Sequence, residues 1–70
     1  MNRYTKKEDA QIGDRVMFDN KTGFLKGLLK IKLIGEVIDL DGEGHNITIS
    51  FMINGIPDPI IKEVPYFLCQ

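Results

Sequence analysis

The chain has 70 residues, 43% of them apolar and 27% charged, and a formal net charge of −1. That length allows one domain, whose core supplies only roughly 3–5 kcal/mol of net stability. A single cysteine, Cys69, rules out an intrachain disulfide, and with His45 as the sole imidazole a structural zinc site lacks its usual four donors.

The composition is that of a folded globular chain. The polar start, Met1 to Asp9, has basic residues but no apolar run behind them and is not a secretory signal. No window approaches the ~18 apolar residues of a membrane span. Together with the lone thiol, these features lead us to expect a cytoplasmic protein with no cofactor, no metal and no membrane contact. Asn46-Ile47-Thr48 matches the glycosylation triplet but falls in an expected strand, and it is set aside.

Residues 1–10 read as a flexible polar segment with at most one helical turn around Lys6–Gln11, and residues 11–70 as the domain. Ile12-Gly13-Asp14 is a turn. Arg15-Val16-Met17-Phe18 follows as a first strand, with Val16 and Phe18 on one face. Asp19 to Gly23 carries turn chemistry. Phe24 to Leu33 is ambiguous among loop, helix and strand: Phe24, Leu25, Leu28 and Leu29 share helical spacing, while Leu29, Ile31 and Leu33 alternate with lysines. Gly23 and Gly27 weaken the helix. A loop with a single helical turn, then a strand from about Leu29, is the expectation. That strand runs to Leu40, with a bulge or sharp bend at Gly35.

Asp41 to Gly44 is a turn, and Asn46 to Ile53 is the clearest strand, with Ile47, Ile49, Phe51 and Ile53 on one face. Asn54-Gly55 is the pair preferred in a type I′ hairpin turn. Pro57 and Pro59 interrupt pairing. Ile60 to Val64 is a short strand, and Pro65 to Leu68 a tight 3₁₀-type turn or a fifth strand. The prediction is a mostly all-β domain, a small five-stranded barrel, because an open sheet would leave one face wet and two edges bare.

Three segments resemble those of the SH3-like barrel superfamily, including KOW and Tudor modules. They are Ile12-Gly13-Asp14-Arg15-Val16, Gly35-Glu36-Val37-Ile38-Asp39 and Glu63-Val64-Pro65-Tyr66-Phe67-Leu68, spanning about residues 12–69. The resemblance implies an SH3-like barrel. The chain departs from peptide-binding SH3 domains in lacking tryptophan and in having a basic rather than acidic first loop. It departs from Tudor domains in lacking a visible aromatic cage. Fold likeness does not establish function.

Charge is segregated. Lys21, Lys26, Lys30 and Lys32 lie between Asn20 and Gly35 with no acid, whereas Glu36, Asp39, Asp41 and Glu43 lie between Gly35 and His45 with no lysine or arginine. A basic patch suits a phosphate backbone or an acidic partner; the plain alternative is a solvated face beside an apolar strand. Phe24, Leu28 and the neighbouring lysines form a basic amphipathic stretch. Lys21, Phe24, Lys26, Leu28, Lys30 and Lys32 are therefore the candidate binding residues. Asp39 to Glu43 lacks calcium-loop spacing and is better explained as a turn. His45, near Asp41 and Glu43, has no nucleophile beside it by motif. Cys69 has no basic neighbour in sequence to lower its pKa.

The expected function is a small non-catalytic protein-binding module, with catalysis excluded for want of a sheltered site. Size alone associates such a chain with accessory or inhibitory proteins of mobile elements such as phages or prophages. One alternative is weak nucleic-acid binding of the KOW kind through the basic 21–32 loop. The other is a structural subunit of a homo-oligomer, against a monomeric module.

Overall fold

The computed structural model describes residues 2–70. Four strands, β1 (Arg15–Asp19), β2 (Lys32–Asp39), β3 (Asn46–Met52) and β4 (Ile60–Pro65), form one antiparallel sheet in the order β1-β2-β3-β4. Two 3₁₀ turns, Lys7–Asp9 and Tyr66–Leu68, flank it. The domain is mostly β, as the alternating patterns predict.

Period-two alternation builds the core. Val16 and Phe18 of β1, Leu33 and Val37 of β2, Ile47, Ile49 and Phe51 of β3, and Val64 of β4 all point inward and are buried. Phe18 and Phe51 meet edge to face at 6.2 Å. Burying a side chain of this size stabilises by about 1.5–3 kcal/mol each, so these residues supply most of what holds so small a domain together.

Gly35 makes no bulge in β2. Register with β1 and β3 passes through it unbroken, pairing it with Val16 and Phe51. It faces inward, where a methyl group would overlap the Ile49 side chain and stand 2.9 Å from the Ser50 carbonyl oxygen. The glycine is thus a close approach of two strands. The irregularity lies further on, between Val37 and Asp39, where the pairing shifts against β3.

Three other expectations change. β2 starts at Lys32, not near Leu29, because the Leu29 and Ile31 carbonyls are taken by Asn20 instead of a neighbouring strand. The 20–31 connection contains turns but no helix. Asn54-Gly55 is not type I′: only Gly55 has positive φ (86°), and type I′ needs it at both residues. The Ile56 N–H closes a single turn on the Ile53 carbonyl, inside a seven-residue connection, Ile53 to Pro59.

The C-terminal residues form no fifth strand in the sheet. After the Tyr66–Leu68 turn they meet β1 through one bridge, Phe18 with Cys69. Met17 and Gln70 exchange backbone hydrogen bonds of 2.9 and 2.8 Å. The N-terminal segment lies on the same edge. Tyr4 and Ala10 belong to the core cluster, and the Arg3 N–H donates to the Cys69 carbonyl at 2.8 Å.

Candidate functional site

The 20–31 loop is organised by one side chain. Asn20 is wholly buried. Its Oδ1 accepts the Leu25 N–H at 2.8 Å, and its Nδ2 donates to the Leu29 carbonyl at 2.9 Å and the Leu25 carbonyl at 3.3 Å. Its own N–H donates to the Ile31 carbonyl, and its carbonyl accepts from Gly23. A buried amide with its groups paired fixes a loop as a strand ladder would fix a strand. Leu25 is drawn into the core and Leu28 is half-buried against it.

Phe24 is left half-exposed, with its ring 5.8 Å from that of Phe18. It borders an open groove of about 280 Å³ whose lining includes Phe18, Lys21, Thr22 and Leu68. Lys21, Lys26 and Lys30 are all exposed. Lys30 folds back over the turn, where a methyl group on Gly23 would sit 3.1 Å from its Cε.

The six sequence-predicted residues therefore separate. Lys21, Phe24, Lys26 and Lys30 stand on the loop surface. Leu28 turns toward the core. Lys32 is the first residue of β2, paired with Asp19 in register, and belongs to the outer face of the sheet. Sequence reasoning missed that outer face. Met17, Ile34 and Met52 lie side by side across β1, β2 and β3 in one register row. Ile34 and Met52 are 47% and 66% exposed, and Leu29 (58%) and Ile31 (49%) stand nearby at the rim. They border an open groove of about 300 Å³. The signal was present: Ile34 and Met52 are apolar at positions where alternation calls for polar residues.

The acidic turn lies at the far end of β2, roughly 26 Å along the strand from the basic loop. Two carboxylates hold its backbone: Asp39 accepts the Asp41 N–H at 2.9 Å, and Glu63 of β4 accepts the Glu43 N–H at 3.3 Å. Lys7 Nζ donates to the Gly42 and Gly44 carbonyls at 2.7 and 3.1 Å. Among the described residues no three of His, Cys, Asp and Glu come together. His45 packs edge to face with Tyr66 and Phe67 at 5.8 and 6.1 Å. Cys69 is buried, and that burial pushes its thiol up to about 11. It stays protonated and unreactive at neutral pH.

At the N-terminal edge the Tyr4 hydroxyl donates to Asp14 Oδ2 at 2.6 Å. Burial, and then that hydrogen bond, raise Tyr4 to about 12. The same bond, with the Gln11 N–H, holds Asp14 below the usual carboxylate range. Arg3 lies 3.9 Å from Asp14 in the one ion pair among the described residues. Among those residues no helix is long and apolar enough to cross a membrane.

No family model, no curated protein and no solved structure matches this chain. The SH3-like likeness rests on the chain's own residues.

Proposed function

We propose that the domain is a non-catalytic protein-binding module that takes an acidic partner segment on the 20–31 loop. One observation carries this reading: a loop held rigid from inside by Asn20 displays a half-exposed Phe24 among exposed Lys21, Lys26 and Lys30. Ordering a loop in advance removes an entropic cost of binding. An aromatic anchor ringed by cations suits an apolar side chain flanked by carboxylates.

The same reading takes the fold as an SH3-like barrel, with Cys69 and Gln70 as a minimal closing strand on β1. Its support is the Phe18–Cys69 bridge, the paired Met17 and Gln70, and the 3₁₀ turn before them. A role as an accessory protein of a mobile element rests on size alone.

The test is affinity purification from the native cell with a tagged chain, repeated with Phe24→Ala and with K21E/K26E/K30E. The expected result is a stoichiometric protein partner that both variants lose. Capture indifferent to both variants would remove the loop from the account. The basic loop also suits nucleic acid weakly. A titration with DNA and RNA that shows binding falling with salt, at a slope of about −0.7 to −0.9 per phosphate, would favour that function instead.

A further inference from the structure

We infer that the outer face of the sheet is a contact between two copies of this chain, related by a two-fold axis lying across the strands. This goes beyond the loop reading and uses a different surface.

Three register rows define the face. The central row is Met17, Ile34 and Met52. On one side lie Asp19 and Lys32, paired across β1 and β2; on the other lie Arg15 and Glu36, paired across the same two strands. Among the described residues none of these four is in an ion pair, the one there being Arg3–Asp14. A ridge of large apolar side chains, Ile34 and Met52 exposed and Met17 partly so, thus stands between two rows, each carrying one cation and one anion.

Face-to-face packing of two identical sheets needs an axis in the plane between them. An axis running along β2 would set Glu36 over Glu36 and repel. One running between β1 and β2 would match the charges but leave Met52 with no counterpart. An axis across the strands, over the central row, exchanges the two charged rows and keeps each strand over its own copy. Asp19 then faces Arg15 of the second copy, and Lys32 faces its Glu36. Met17, Ile34 and Met52 meet their own equivalents. The twist between packed sheets, about 30°, offsets the side chains, and open grooves on either side of the Ile34–Met52 ridge give the flexible methionines room to interleave. This one operation gives all four charges an opposite partner and covers the whole ridge, which is why the occupant is a second copy rather than an unrelated protein.

The face is small, so the dimer is weak, with a dissociation constant on the order of 10–100 µM. Sedimentation velocity from about 10 µM to about 1 mM reads it directly. Two double variants keep each cross-strand pair opposite in sign within the chain while reversing it toward the second copy: R15E/E36R and D19K/K32D. Each alone should weaken the dimer by about tenfold or more. Mixed one to one, they regain it. The reversed charges at positions 15 and 36 of one chain then face the reversed charges at positions 19 and 32 of the other, and every facing pair is again opposite in sign.

Met52→Glu, at the most exposed site of the ridge, should also leave a folded monomer; it keeps the inference testable if a double variant misfolds. A wild-type chain monomeric throughout the range overturns the inference. So does a dimer that survives Met52→Glu, or a mixture of folded double variants that stays monomeric. K21E/K26E/K30E should dimerise as the wild type does, so loss of partner capture with dimerisation intact, or the reverse, tells the two surfaces apart.

Discussion

Two peripheral segments are fastened to this domain by two different polar side chains. Asn20 holds the 20–31 loop, and Tyr4 holds the N-terminal segment. Both residues are buried. Asn20 engages three backbone groups with its amide and carries no proton that titrates. Tyr4 engages one carboxylate with one hydroxyl, so both ends of its bond change with pH. The loop that bears the candidate site is therefore fixed at any pH, while the N-terminal segment is fixed only within a window. Rigidity at a surface comes in this case from which polar group is buried, not from how many residues are apolar.

The largest expected effect breaks the stronger anchor. Asn20→Ala removes three hydrogen bonds and strands the Leu25 N–H and the Leu29 carbonyl, while the Leu25 carbonyl keeps the Leu28 N–H at 3.4 Å. It should cost about 3 kcal/mol in urea unfolding, most of the margin of a 70-residue domain. Asn20→Asp should cost as much, because a carboxylate cannot donate to either carbonyl. Hydrogen exchange of the Leu25 amide should rise in both variants. If Leu25 stays protected in Asn20→Ala, the loop is held by something else.

Alkaline pH attacks the other anchor and spares the first. Burial raises Cys69 from an ordinary 9.0 to about 11, and burial with the Asp14 bond raises Tyr4 from 10.0 to about 12. Each group's folded value lies above its unfolded one. The stability they contribute is present in full below pH 9 and is lost as pH rises toward 12. At full value the two rises would come to about 5 kcal/mol; with solvent screening taking more than half of that, the loss should be on the order of 2 kcal/mol for the two together. Cys69→Ala, a small apolar substitute, should remove the earlier part of the fall. A flat unfolding free energy from pH 9 to 12 would show both groups to be open to water.

Much of this was legible from the residues, and the misses have physical causes. Alternation in Asn46 to Ile53 and in Val16 to Phe18 gave the strands and their inward faces, because a half-buried strand must alternate. Asn20 was read as a turn former, which it is. Its burial was hidden because nothing local distinguishes an asparagine that points at water from one that points under a loop. Tyr4 was hidden by its polar neighbours: one aromatic in a charged run has no period. Gly35 announced something unusual, but a bulge and a close approach leave the same letter in the sequence. Leu29 and Ile31 continued the alternation of β2 without belonging to it, since Asn20 claims their carbonyls. The lysines of the candidate site were visible throughout. The outer row of Met17, Ile34 and Met52 needed the register of three strands.

Next in size is removal of the Tyr4 hydroxyl alone. Tyr4→Phe keeps the ring in the core and deletes one hydrogen bond to a partly exposed carboxylate. It should cost about 1 kcal/mol near neutral pH and leave the Leu25 amide as protected as in the wild type. An equal rise in exchange at Leu25 would mean that the two anchors are coupled, and the contrast between them would fail.

The smallest effect lies on the acid side. Asp14 sits below its ordinary 3.8, first through the Tyr4 hydroxyl, then through the Gln11 N–H and Arg3, with burial opposing. Its folded value is lower than its unfolded one. Its contribution is therefore present above the ordinary value and disappears as pH falls through the folded one. Asp14 is partly open to water, so the loss should stay under about 1 kcal/mol. Tyr4→Phe removes the largest cause of the shift. Its thermal midpoint should thus decline less between pH 5 and 2 than that of the wild type. The hydroxyl bond is the same one whose loss already lowers the variant at neutral pH, so the two curves should converge in acid rather than run parallel. Parallel curves would mean that Tyr4 does not donate to the charged carboxylate. Asn20→Ala, by contrast, should stay below the wild type by the same amount at every pH where both fold, because no proton enters its bonds.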